Sequence, residues 1–193
     1  MTIQPRTCLV GASALAVIFG IFGCLPFPLG DPAKSQVDPR LDGYWMVDSG
    51  DERELIAMFP FDEHTYVLED LKLKHVDDKW QPQGPPQLFK AWLTNIKNDR
   101  FLTLEFLQQR LPRDPSEQKV YPALRLTLEG DSIMARMVNS DSTLIKSAKS
   151  AAEIETIIAK ELNNPDLYSG DGNKFRRLDA ERDKEMVQLL ANN

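Results

Sequence analysis

Apolar and polar residues fall into three textures along this chain. A run without charge, CLVGASALAVIFGIFGCLPFPL, occupies residues 8–29. From about residue 41 to 138, apolar and polar positions alternate in short bursts. Leu71 and Leu73 alternate with Lys72 and Lys74, Leu102, Leu104 and Phe106 with Thr103 and Glu105, and Leu124, Leu126 and Leu128 with Arg125, Thr127 and Glu129. A period of two puts one face on a core and the other in solvent, so it predicts half-buried strands. These fall at 41–48, 55–61, 65–76, 87–96, 101–108, around 124–128 and at 132–138. Short strands with turn signals between them, about seven here, predict an antiparallel meander closed as a barrel or sandwich. Residues 49–54 (SGDERE) read as a charged turn, 97–100 as a tight hairpin turn, and 77–86 (DDKWQPQGPP) and 111–119 as loops.

The period then changes. Ser150 followed by Glu153 forms a capping box, and Ile154, Ile157, Ile158 and Leu162 share one helical face. The pattern predicts a helix over about 150–162, packed on the strands. Residues 173–179 (NKFRRLD) read as a last short strand, and 180–193 as a terminal helix and tail with Met186, Val187 and Leu190 on its apolar side. The fold class is mainly β with C-terminal helices.

Gly43-Tyr44-Trp45, in the first predicted strand, resembles the G-x-W motif that opens lipocalin-like β-barrels. The resemblance rests on three residues. It implies a meander closed as a barrel over 41–179, one helix packed outside, and a short returning strand. It also implies an arginine from a late strand stacked over Trp45, and Arg176 and Arg177 both sit where this would happen. Only one can, because neighbours on a strand face opposite sides; the contact is worth roughly 0.5–2 kcal/mol. The alternative leaves both as surface charges. Trp80, the one large apolar residue of the 77–86 loop, either folds back on the core or touches a ligand at the barrel mouth.

The uncharged run follows a start bearing Arg6, and it reaches Ile21-Phe22-Gly23-Cys24. That ending resembles a bacterial lipoprotein signal, although Phe22 stands where a small residue is usual. The resemblance implies that residues 1–23 are a removed signal peptide and that Cys24 becomes the lipidated first residue. An uncleaved anchor and simple secretion are the other readings. Pro26 and Pro28 oppose a helix running through them, and the run before Cys24 falls short of the ~20 apolar residues that span a bilayer. All three readings export the domain. Leu25 is not the Asp that resembles an inner-membrane retention signal, so the expected place is the periplasmic side of the outer membrane. Residues 24–40, with two Asp-Pro pairs, read as the lipidated cysteine and a flexible tether.

Composition adds limits. The 193 residues suit one domain, and a formal charge of −6 disfavours nucleic acid as a partner. Both cysteines, Cys8 and Cys24, lie in the N-terminal segment, so the domain relies on its core rather than on disulfides. His64 and His75 stand apart from other ligand types, and G-x-S-x-G, P-loop and G-x-G-x-x-G patterns are missing from the sequence. We therefore expect no metal, no cofactor and no enzyme. Asp62, Glu63, Glu69 and Asp70 read as a solvated acidic rim, and 166–173 (DLYSGDGN) as a surface turn. The functional expectation is a lipid-anchored, lipocalin-like domain that binds a small apolar ligand. The alternative is a non-enzymatic envelope protein that binds another protein or serves structurally. An apolar cavity of a few hundred cubic ångströms would favour the first. A filled interior with an exposed apolar patch would favour the second.

Overall fold

The computed structural model describes residues 24–107 and 119–191. The expected signal segment, 1–23, and most of the 111–119 loop lie outside them. The strands are β1 (Cys24–Leu25), β2 (Gly43–Ser49), β3 (Glu52–Pro60), β4 (Tyr66–Val76), β5 (Lys79–Pro82), β6 (Gln87–Ile96), β7 (Asp99–Phe106), β8 (Tyr121–Glu129), β9 (Ser132–Met137) and β10 (Asn173–Arg177). The helices are α1 (Ala151–Glu161) and α2 (Lys184–Ala191).

Eight strands form a closed antiparallel barrel. The order runs β8-β7-β6-β4-β3-β2-β10-β9, and β9 pairs back onto β8. The late strand is therefore a stave of the barrel. β10 bonds to β9 through Phe175 opposite Ile133, and to β2 through Arg177 opposite Trp45. Without it two edges would be left open, and open edges invite pairing with other chains.

Each wall is buried on both sides over much of its area. Trp45, Ile56, Met58, Leu68, Phe89, Leu102, Leu104, Leu126, Ile133 and Phe175 form the interior. A second cluster covers one outer face, where Ile154, Ile158 and Leu162 from and beside α1 pack on Ile96, Phe101, Ala123 and Val138. A third lies under α2, where Met186 and Leu190 meet Met46, Leu55, Leu71, Leu73 and Leu178. Leu71 and Leu73 thus face α2, while Tyr66 and Leu68 on the same strand point into the barrel. Ser150 caps α1, accepting from the Glu153 N–H at 3.2 Å. Glu153 reaches back one residue further than the capping box requires, to the Lys149 N–H.

Two predicted turns are shorter than expected. Only Gly50 and Asp51 turn between β2 and β3, so Glu52–Glu54 belong to the strand. The 77–86 loop is partly a hairpin. Asp77 and Asp78 both adopt positive φ, and β5 then pairs back on β4 outside the barrel. That double left-handed turn normally carries Asn or Gly, and Asp-Asp gives a weak signal.

The largest correction concerns residues 24–40, which form a packed strap and not a flexible tether. Leu25 and Leu29 are fully buried. The Leu29 carbonyl accepts three hydrogen bonds, from Trp92 Nε1 at 2.7 Å, Thr94 Oγ1 at 3.1 Å and Thr103 Oγ1 at 3.2 Å. The Gly30 N–H donates to Glu155 Oε1 on α1 at 2.9 Å. Ser35 Oγ accepts from the Leu93 N–H at 3.0 Å. The two Asp-Pro pairs, which suggested a linker, instead cap single turns of 3₁₀ helix at Pro32–Lys34 and Pro39–Leu41. Proline suits the first position of such a turn because its missing N–H is not needed there.

Substitutions in the strap test this directly. Leu29→Ala is expected to cost about 2–5 kcal/mol. Gly30→Ala should also destabilise, since Gly30 has φ +68° and an added Cβ would sit 2.1 Å from Thr94 Oγ1. Urea midpoints report both; a segment acting only as a tether would leave them unchanged.

Candidate functional site

The two ends of the barrel differ in kind. At one end the strap crosses and seals the opening. The Trp45 indole N–H donates to the Leu41 carbonyl at 2.9 Å, and the Arg177 guanidinium lies 4.2 Å over the Trp45 ring. Arg177 also donates to the carbonyls of Arg40 and Asp42. Gly43 has φ +120°, and a Cβ there would meet Arg177 Nη1 at 2.9 Å. Glycine two residues before the tryptophan thus gives the arginine its approach. Of the two candidate arginines, Arg177 stacks on Trp45. Arg176 turns to the other side and holds Asp183 with two hydrogen bonds of 2.8 Å.

Asp38 is the hub of this sealed end. Its carboxylate accepts from the Arg40 guanidinium, from the Arg40 N–H and from Arg100. The bonds from Arg40 hold it well below the usual carboxylate range. The Tyr66 hydroxyl accepts from the Asp38 N–H and donates to its carbonyl at 3.2 Å. Burial pushes that phenol up to about 12.

Among the described residues no strap crosses the other end, and the candidate site lies there. β3 and β4 bring Glu54 opposite Lys72, and Ile56 opposite Asp70. Glu54 shares the inward face of Ile56 and Met58, and Asp70 that of Leu68. Glu54 is 7% exposed and Asp70 2%. Oε1 of Glu54 and both carboxylate oxygens of Asp70 are buried and receive no N–H from the described residues. Burial pushes both carboxyls up, to about 8 for Glu54 and about 6 for Asp70. Lys72 opposes this for both, and each carboxyl raises or lowers the other through a hydrogen bond between them. Two ionised carboxylates cannot donate to each other. With one proton between them, one becomes the donor and the other the acceptor.

Each carboxyl borders a space of its own. Glu54 borders an apolar void of about 50 Å³ inside the barrel, walled by Trp45, Ile56, Leu104 and Phe175 among others. Asp70 borders a larger cavity of about 430 Å³ at the mouth, formed with Lys72, Gln83, Gly84, Pro85, Pro86 and Gln87. The inner void is far below the few hundred cubic ångströms that a small-molecule site needs, while the mouth cavity reaches that range. The barrel is filled by side chains, as eight-stranded barrels can be.

The remaining sequence-derived positions fall elsewhere. Trp80 is not at the mouth. It lies in β5 opposite His75, and the outward parity of that position carries it to the outer wall. There it stacks with the Arg53 guanidinium at 4.0 Å and with His75 at 4.9 Å, beside the α2 cluster. Asp70, read as part of a solvated rim, is buried. Glu54, assigned to a turn, was not singled out at all. The signal for both was the even-numbered phase of β3 and β4, Glu54-Ile56-Met58 and Tyr66-Leu68-Asp70, in register with a second apolar face. Cys24 is half-buried at the start of β1, opposite Pro122 at the open-end start of β8, and burial pushes its thiol up.

Fold and site together define a filled, lipocalin-like β-barrel, sealed at one end and carrying a buried acid pair at the other. No protein-family model, curated protein or solved structure matches the chain, so the functional reading rests on this geometry.

The acid pair fixes an expected pH dependence. A carboxyl raised on folding adds stability in full below its unfolded value, 4.5 for glutamate, and loses it as pH rises through the folded value, about 8 for Glu54. Asp38 and Asp183 are lowered on folding, so their contribution is lost as pH falls towards and below the ordinary carboxylate range. Stability should therefore peak at mildly acidic pH and fall by a few kcal/mol towards pH 8. Glu54→Gln should flatten the fall between pH 5 and 8 and leave the acid limb in place. Urea unfolding across pH 3–9 measures both limbs, and an unchanged slope in the variant would remove Glu54 as the cause.

Proposed function

We propose that this chain is an exported, lipid-anchored barrel that binds a small molecule at its open end and does so without catalysis. The carrying observation is the 430 Å³ mouth cavity, bordered by Asp70, whose buried carboxylate receives no N–H from the described residues. The apolar ligand expected from the sequence would need an interior that the 50 Å³ void does not provide. The reading therefore moves from the barrel axis to the mouth and from an apolar ligand to a polar one.

The lipoprotein-like ending at Cys24 supports the anchor. With Leu25 buried and paired to β8, a lipid on Cys24 would leave the barrel from its open rim. The mouth would then be held close to the bilayer on the periplasmic side, the outer membrane being the favoured place.

A second reading, a docking protein of the envelope, has its own support. Phe61 is 72% exposed and Phe59 38%, with Tyr44 edge-on to Phe59 at 5.3 Å. These aromatics lie on the outer wall near the sealed end, away from the proposed anchor.

Intact mass and detergent partitioning of the natively expressed protein test the anchor. Wild type is expected to lack residues 1–23, carry acyl mass on Cys24 and enter the detergent phase. Cys24→Ser should lose the acyl mass and stay in the aqueous phase. Retention of residues 1–23 with no effect of the substitution would overturn lipidation and leave the mouth site to be judged on its own.

A further inference from the structure

We propose that the open end of the barrel is a site for a small primary ammonium ion, whose N–H groups are received by Glu54 and Asp70. The inference deepens the mouth-binding reading by naming the ligand's chemistry, and it is independent of the lipid anchor.

The argument begins with unmet acceptors. Asp70 is 2% exposed and borders the mouth cavity, and among the described residues no N–H reaches either of its oxygens. Glu54 is 7% exposed, with Oε1 unpartnered. A buried acceptor left without a donor costs free energy, and an unpaired buried charge costs more. One proton between the carboxyls meets part of this demand. The three buried oxygens have at most that one donor among them, so a ligand offering several N–H groups is the complementary partner.

Charge narrows the class. From β4, Lys72 faces the pair; one pair further towards the rim, Glu52 stands opposite Lys74. Glu69 lies on the other face of β4. From β6 the neighbours are Gln87 and Phe89, and the loop at 83–86 brings Gln83, glycine and two prolines. The other walls at this level, including Leu104, Leu124, Met137 and Phe175, are apolar. Two carboxylates against Lys72 leave one negative charge when both ionise. A monovalent cation balances it. A divalent metal would overshoot and would find only two carboxylates; no group of three or more His, Cys, Asp or Glu suited to a metal occurs among the described residues. An anion is repelled, and a wholly apolar ligand leaves the acceptors unmet.

Size narrows it further. The 50 Å³ void beyond Glu54 admits no alkyl tail of any length. The tail must lie in the mouth cavity against Pro85 and Pro86, so the ligand is short. Binding exchanges the shared proton for the ammonium: the carboxyl O–H proton passes to solvent as the N–H···O contacts form. Affinity must therefore rise with pH until the pair is fully ionised.

Calorimetric titration of the full chain with n-propylammonium at pH 5.5 and pH 8 tests this, with n-propanol and tetramethylammonium as controls. The first control matches the length without charge; the second carries charge without N–H donors. We expect saturable binding at pH 8, at least tenfold weaker binding at pH 5.5, and no saturable binding of either control. Repeating the titration at pH 6–7 in buffers of different ionisation enthalpy should show close to one proton released per ligand. That readout holds even if Glu54→Gln or Asp70→Asn fails to fold; where they fold, each should weaken binding at least tenfold. Tetramethylammonium binding as tightly as n-propylammonium would overturn the proposal in favour of non-specific attraction to an acidic protein. Saturable n-propanol binding without n-propylammonium binding would overturn the ammonium assignment and keep the mouth site. No saturable binding of any probe would overturn both.

Discussion

Closure of the eight-stranded sheet is the constraint on which the rest depends. A barrel of eight strands encloses a narrow space that its own side chains can fill, and here they leave a void of about 50 Å³. Every inward position must therefore be apolar or find a partner inside. The final stave, β10, closes the ring across a gap of more than thirty residues from β9 and places Arg177 opposite Trp45. The same contact seals one end, because the guanidinium that covers the indole also ties down the carbonyls of Arg40 and Asp42. Wall, plug and strap are thus one structure. What closure leaves over is the opposite end, where Glu54 and Asp70 face inward and the described residues bring no N–H to Glu54 Oε1 or to either Asp70 oxygen.

The barrel was legible in the sequence where each strand has one plain alternating face. β8 from Leu124 to Glu129 is the clearest case, and the capped helix α1 was equally plain. Legibility failed where the walls are buried on both sides. In β4, Leu71 and Leu73 announce one apolar face, and the natural inference is that the other phase is wet. Here α2 covers the first face and the barrel interior takes the second, so Asp70 is buried by a surface that alternation counts as solvent. Glu54 was hidden the same way, within a run of charges that looks like a turn until the two-residue turn at Gly50-Asp51 is known. Period-two reasoning reports that two faces differ and does not say which one meets water.

The strap misled for a different reason. Pro and Asp at 31–32 and 38–39 carry the composition of a linker, yet the same dipeptides cap short 3₁₀ turns. What holds the strap is mostly contributed from elsewhere: Trp92, Thr94 and Thr103 converge on a single carbonyl, and their spacing in sequence gives no hint of it. Non-local hydrogen bonds to backbone leave no local signature. The G-x-W motif, by contrast, carries its own explanation. The glycine adopts a backbone angle that other residues rarely reach and leaves room for Arg177, so three residues can mark a contact formed with the far end of the chain.

A filled barrel changes what its shape implies for function. In a hollow one, the axis is the site and the rim is a gate. Here the interior is committed to packing, and the pair at the rim is the place where packing and polarity conflict. A protein that needed only stability could resolve that conflict by making both positions apolar, because a buried ionisable pair is weak support for a fold. Retaining two buried carboxyls beside the mouth cavity, with Lys72 placed to balance only one of them, is unfavourable as architecture alone. On the reading proposed above, a positively charged donor from outside completes the set.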